Sequence, residues 1–417
     1  MTGWTYDGRR RLAGVVRHAH HRQDLDQAVV PEGLDLTGRI ILRGATLIDG
    51  TGGPPRRDRA VVLEQGRIAA VVPHGAPGDG TVLDLGGLTL LPGLINCHTH
   101  LCLSGAADPA RLLTQESYAM TVIQATVRAR QTVEAGVTTI RDVGGREYAD
   151  VAVRDAVRAG LVSGPRILAA GRAICMTGGH GWQLLGRQAD GADVIKLIAT
   201  GGVMTPGVDP SASQLTLEEL RAGIEEAHKA RRKAAAHAQA EAGIALCLEA
   251  GIDTIEHGVF LSEALAARMA AQGTALVATL IAPHAIVEGG IAAGIPDYAV
   301  KKSAVVRERH LESFRLALRA GVEVAAGTDA GTPLNPHGSI VPELMLMAGA
   351  GMAPLEVIRS ATSVAAAVAG LGNETGRVAP GLAADLLAVE GNPAESLKAL
   401  DAVRLVIADG RLVVNRL

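Results

Sequence analysis

Apolar and polar positions follow three rhythms along the 417-residue chain. Residues 1–37 are polar and without period, carrying Arg9, Arg10, Arg11, His18, His20 and His21, and read as a solvated N-terminal extension. From Gly38 to Leu90 short β-like runs alternate with turns: Ile40-Ile41-Leu42, Ala60-Val61-Val62-Leu63, Ile68 to Val72 and Thr81 to Leu85, separated by Gly52-Gly53-Pro54-Pro55 and the glycine-rich stretch 75–80. Then strand, loop and helix recur. Buried strands are expected at 90–98, 137–143, 166–174, 193–199, 233–238, 253–257, 275–280 and 323–329. Helices are expected at 217–232, where Thr216 and Glu219 have capping-box spacing, at 301–320 and at 354–370. Eight such βα units predict an α/β protein with a (β/α)8 TIM barrel. The tail returns to strands at 385–389, 403–407 and 411–414, expected to pair with the first half of the small β-region. The predicted division is an extension (1–37), a small β-sandwich domain built from both chain ends (38–90 plus 373–417) and a barrel domain (91–372).

Composition narrows the picture. Hydrophobic residues make up 48% of the chain but aromatics only 2%, so the core must be Ala, Val, Leu and Ile, which suits a parallel sheet covered by helices. Stacking platforms for single-stranded nucleic acid are missing. The net charge of −3, with no long basic run, gives no electrostatic reason for a nucleic-acid or anionic-membrane partner. Cys97, Cys102, Cys175 and Cys247 form no CxxC pair and read as reduced thiols of a cytoplasmic protein. No secretory h-region and no apolar run of about 20 residues is seen, so no membrane span is expected. A homo-oligomer is the default expectation for a soluble enzyme.

The candidate chemistry sits at strand ends. His98 and His100, at i and i+2, share one face of the first barrel strand and can act as a metal pincer. Lys196 lies inside the fourth strand, His237 and His257 end the fifth and sixth, and Asp329 ends the eighth. The carboxyl ends of barrel strands converge on one face, so these six residues can meet there. Four imidazoles and a carboxylate suit Zn²⁺ or a similar ion. Lys196, flanked by Ile195 and Leu197, is costly to bury as a cation. It can snorkel outward, or stay a neutral amine able to add CO2 and become a carbamate.

The set of HxH, Lys, His, His and Asp on successive strands resembles the amidohydrolase superfamily, and specifically its imidazolonepropionase-related, dipeptidase-like branch. The stretches that carry the resemblance are Pro92 to His100, Thr177-Gly178-Gly179-His180-Gly181, Ile195 to Val203, Ile255-Glu256-His257-Gly258, Ala326 to Gly331 and Ala379 to Leu386. The resemblance covers about 40–417. It implies two divalent metal ions, with His98, His100 and Asp329 on the first, His237 and His257 on the second, and carboxylated Lys196 and a hydroxide between them. Asp329 then takes the proton of that hydroxide and passes it to the leaving nitrogen. The family's imidazolonepropionases lack the bridging lysine, so Lys196 argues against that activity.

Secondary candidates lie in loops. His180, after the third strand, can bond the scissile carbonyl or a substrate carboxylate; His337, after the eighth, is a further substrate contact. The Gly- and Ala-rich segment 281–300 reads as a long loop serving as a lid or specificity element, with His284 in it. Dipeptide-cleaving relatives place a tyrosine where this chain has Ile281-Ala282-Pro283-His284, and His284, Lys301, Lys302 or Arg307 could substitute for it. The leading expectation is a metal-dependent hydrolase of an amide C–N bond in a small molecule, such as a dipeptide or N-acyl amino acid. The alternatives are a hydrolase of a cyclic amide, urea, carbamate or xenobiotic amide, and a non-catalytic barrel scaffold.

Overall fold

The computed structural model describes residues 38–76, 78–177, 179–180 and 191–417; the polar extension 1–37 with its histidines, and residues 77, 178 and 181–190, lie outside the described residues. In chain order the strands are β1 (Ile40–Arg43), β2 (Thr46–Leu47), β3 (Arg59–Glu64), β4 (Arg67–Pro73), β5 (Thr81–Asp84), β6 (Leu88–Pro92), β7 (Leu94–Thr99), β8 (Val137–Asp142), β9 (Arg166–Ala169), β10 (Val194–Ile198), β11 (Lys233–Ala238), β12 (Thr254–His257), β13 (Ala275–Val277), β14 (Leu386–Glu390), β15 (Val403–Ala408) and β16 (Arg411–Asn415).

Two sheets come from the chain ends. One has the order β4-β3-β1-β5, the other β16-β15-β14-β6-β2. Antiparallel pairing from Leu386↔Pro92 to Glu390↔Leu88 joins the two ends of the chain. Strand alternation puts Ile40, Leu42, Val61 and Leu63 of the first sheet on one face, where they share a buried cluster with Leu90, Leu386, Ala388, Leu405 and Ile407 of the second.

The remaining strands are parallel and ordered as in the sequence: β7-β8-β9 and β10-β11-β12-β13. Single parallel bridges extend them. Ile174↔Leu197 links the first of these sheets to the second, while Leu276↔Val324 and Thr99↔Ala330 tie the segment 324–330 to both outer edges. That segment, expected as the eighth strand, is not a regular one: Asp329 has φ +60, which an extended ladder does not accept. The architecture is α/β, with helices between the parallel strands.

The expected strand 90–98 divides at Gly93. Its N–H donates to Asp385 O at 2.9 Å and the next N–H, of Leu94, to Gly136 O at 2.9 Å, so adjacent residues serve different sheets. A Cβ at Gly93 would lie 2.1 Å from Thr138 Oγ1, and only glycine lets the chain cross between sheets there. The helix Leu217–Lys229 has the predicted capping box, and the expected helix 354–370 is two short ones, Pro354–Ser360 and Ser363–Val368. The segment 281–300, read from sequence as a loop, is helical over Ile281–Gly289, and a 24-residue helix begins at Asp297. Pro283 is no obstacle in a first turn, and Ala282 and Ile286 give the short helix a buried face. Among the described residues no helix is long and apolar enough to cross a membrane.

Candidate metal centre

His98 is the penultimate residue of β7, His100 follows directly after that strand, Lys196 lies in β10, His237 in β11 and His257 closes β12. These five, with Asp329 and His180, line a single cleft that is open to solvent. His98 Nε2 and His100 Nε2 stand 3.4 and 3.2 Å from Asp329 Oδ1. The ring of His257 is 5.0 Å from that of His98 and 4.6 Å from that of His237, and His180 is 4.6 Å from His237. His257, Thr279 and Asp329 all have positive φ, an unfavoured conformation for non-glycine residues that recurs where strand ends aim side chains into a site.

Each imidazole is held by one nitrogen. His98 Nδ1 lies 2.7 Å from Glu256 Oε2, and His100 Nδ1 2.9 Å from Gly144 O. His257 Nδ1 lies 2.7 Å from Thr279 Oγ1, and His237 is held by Nε2, 2.9 Å from Gly201 O. Such partners fix tautomer and ring orientation and leave the other nitrogen for a ligand. His98, His100 and Asp329 offer donor atoms within 4.8 Å of one another.

The electrostatics agree. Burial, reinforced by His180 and Lys196 beside His237 and by His237 and His98 beside His257, disfavours the charged form and holds both well below the ordinary histidine range, so both are neutral donors. Burial works against the charged form of His100 too, but the hydrogen bond and charge of Asp329 raise it. Burial alone would raise Asp329; His98 and His100 hold its carboxylate well below the usual range. Lys196 is 3% exposed, and burial lowers its ammonium to about 8 against the attraction of Glu256. At pH 7 about a tenth of such a lysine is neutral, the form that can add CO2.

His180 adds a ring whose Nδ1 lies 2.9 Å from Thr205 Oγ1 and which burial takes down to about 4. A Cβ on Gly202 would come within 2.4 Å of His180 Nε2, so a glycine is needed beneath the ring. The other two sequence candidates are elsewhere. His337 donates from Nε2 to Leu103 O at 3.0 Å and lies 3.3 Å from Thr99 Oγ1, bracing the turn that carries the histidine pair rather than lining the cleft. His284 sits half-buried on the helix Ile281–Gly289 and does not line the cleft either.

Sequence reasoning missed the layer beneath. Glu256, fully buried, bonds His98 on one oxygen and Arg141 Nη2 on the other, at 2.7 Å, and Arg141 also donates to Cys97 O at 2.7 Å. An arginine inside the apolar run 137–143 was the available signal. Asp142 receives the N–H of Leu101 at 2.7 Å and of Gly144 at 3.1 Å, holding the turn around His100.

A model of the amidohydrolase family matches residues 89–413. The ochratoxinase of Aspergillus niger is 29% identical over 88% of this chain and 84% of its own length, and its crystal structure superposes with a TM-score of 0.79. A Xaa-Pro dipeptidase with methionine bound in the active site is similar at a TM-score of 0.84 and 31% identity, covering 90% of this chain and 99% of that one. A prolidase complexed with N-methylphosphonate-L-proline gives 0.82 and 30%, covering 90% and 100%.

Proposed function

The chain belongs to the amidohydrolase family, and from that premise we propose that it hydrolyses an amide C–N bond in a small molecule of the dipeptide or N-acyl amino acid type. One observation carries the reading: four imidazoles, a lysine and a carboxylate, from or just after four parallel strands and from the segment 324–330, line one cleft, and each of the four rings is oriented by a partner on its far nitrogen.

The donor set fits two divalent ions, zinc being the natural candidate. His98, His100 and Asp329 would hold one and His237 and His257 the other, with Lys196, carboxylated by CO2, between them. Ions bound there would acidify a water and polarise the substrate carbonyl. Asp329 is suited to accept the water's proton and deliver it to the leaving nitrogen. His180, anchored through Nδ1, has Nε2 to direct at the scissile carbonyl. The apolar wall formed by Leu103, Leu113, Ile286 and Val306 supports a substrate with one apolar half, and so also a xenobiotic amide.

The backbone bridges at Ile174, Leu276 and Thr99 support a closed (β/α)8 barrel over 91–372, and the shared apolar cluster supports a β-sandwich made from 38–90 and 373–417. The four cysteines are free, which supports a reducing compartment. The test is metal analysis of the purified protein combined with a panel of dipeptides and N-acyl amino acids. About two ions per chain and chelator-sensitive amide hydrolysis are expected; full activity without metal overturns the reading.

A further inference from the structure

The wall of the cleft away from the metal centre is largely apolar, with Ile286, Val306 and Val259 among its residues, and Gln239 and His310 are among the polar side chains that interrupt it. Gln239 stands two residues beyond His237 and is 6% exposed. Its backbone is pinned on both sides: its N–H donates to Thr200 Oγ1 at 2.9 Å and its carbonyl accepts from Phe260 N at 2.8 Å. Its side-chain Oε1 is buried and has no hydrogen-bond partner among the described residues. His310, on the helix Asp297–Ala320, is 2% exposed. Its Nε2 donates to His257 O at 2.9 Å and the ring also faces the Ala278 carbonyl; in this tautomer Nδ1 is an acceptor, buried and without a hydrogen-bond partner among the described residues.

Neither atom belongs to the set of six metal-binding candidates. A buried acceptor without a donor destabilises the fold, and native proteins leave few of them. Two in one cleft, on different elements, point to a ligand that supplies what the protein does not. We propose that Gln239 and His310 form a substrate-reading subsite for a neutral hydroxyl or N–H group carried on an otherwise apolar half of the substrate; this rests on the amide-hydrolase reading of the adjoining histidines.

The chemistry of the group follows from the two partners. His310 Nδ1 can only accept, so the group must donate, which disfavours a carboxylate. The Gln239 amide presents either its oxygen or its nitrogen and so tolerates a hydroxyl or a carboxamide. An ammonium lacks a counter-charge: Asp329, the carboxylate among the described lining residues, is engaged by His98 and His100, and Lys196 adds positive charge. A site built around buried polar atoms rejects the analogue that lacks the matching group far more strongly than an apolar pocket rejects a missing methylene.

Matched pairs test this on the metal-loaded enzyme. N-benzoyl-tyrosine against N-benzoyl-phenylalanine probes the amine half, and N-(4-hydroxybenzoyl)-phenylalanine against N-benzoyl-phenylalanine the acyl half. In one of the two pairs the hydroxylated member is expected to be favoured in kcat/KM by on the order of 10²-fold. Gln239→Met, nearly isosteric, and His310→Phe should each reduce that preference to about threefold or less, with thermal unfolding reporting whether each variant folds. No preference in either pair, or a preference that survives both substitutions, overturns the subsite. Calorimetric binding of the hydrolysis products, tyrosine against phenylalanine and 4-hydroxybenzoate against benzoate, reads the subsite without turnover. A hydroxyl preference in binding with no amide hydrolysed removes the amide-hydrolase reading and keeps the subsite; hydrolysis without preference does the reverse.

Discussion

Glu256 Oε2 stands 2.7 Å from His98 Nδ1 with both side chains closed to solvent, so the metal pincer rests on a buried carboxylate. The same carboxylate pairs with Arg141, and although burial would raise it, Arg141 and His98 hold it below the usual range. Glu256→Gln is expected to lower metal affinity by about 10- to 100-fold, because it removes the charged partner that orients His98. Glu256→Leu should in addition destabilise the fold by about 3–5 kcal/mol, since Arg141 is left buried and unpaired. Competition with a chelator reads the first and denaturant unfolding the second. An unaltered metal affinity in the Gln variant removes Glu256 from the site.

Lys196 is placed to become a bridging carbamate only if it is neutral when CO2 arrives. Lys196→Ala should lose one of two ions and lower kcat/KM on the order of 10³-fold. A short carboxylic acid added to that variant should restore part of the activity, since it supplies the missing oxygen ligand. Two ions retained in Lys196→Ala would show that the lysine does not bridge.

Gly202 lies beneath the His180 ring with no room for a methyl group. Gly202→Ala should displace the ring and lower kcat on the order of 10²-fold, the usual penalty for a catalytic group misplaced by about 1 Å. Metal content should stay the same, as none of the six candidate ligands is touched. A normal kcat would show that His180 takes no part in turnover.

Glu343 receives the N–H groups of Leu280 and Ile281, at 2.9 and 2.7 Å, where the cleft-lining helix Ile281–Gly289 starts. Burial raises its carboxyl from 4.5 to about 8 despite those bonds. Between those values the unfolded chain has lost the proton that the folded chain keeps. This contribution to stability is therefore complete below pH 4.5 and lost as the pH rises through about 8. Glu343→Gln carries a constant cost for the lost second acceptor but does not titrate. Relative to it, the wild type should lose on the order of 1–3 kcal/mol between about pH 5 and pH 9, measured by denaturant unfolding across that range. Parallel curves for the two proteins would contradict the assignment.

The six candidate ligands were legible because each is a polar residue in, or at the end of, an apolar run, and strands of one direction bring their ends together. The layer that orients them was not. Glu256 meets Arg141 across strands far apart in sequence, and although an arginine inside the expected strand 137–143 marks one member, nothing local names its partner. Gln239 looks like an ordinary loop residue until its backbone is seen to be spent on Thr200 and Phe260. The helix at 281–289 was hidden by its own composition, since glycines and a proline near an apolar stretch read as a loop when the packing partner is unknown. The division at Gly93 carries a local mark, the Pro92-Gly93 pair, but that pair does not say that the apolar residues on its two sides serve different sheets.

The antiparallel union of β14 with β6 bears on how the protein is made. The strand β6, which leads into the strand of His98, pairs early with β2 on one side but gains its other neighbour only after residues 386–390 have emerged from the ribosome. Nascent chains therefore carry an incomplete foundation under the histidine pair until that strand is available to pair. For the same reason a deletion that removes β14 reaches the histidine pair through β6, although most of the chain lies between the two in sequence.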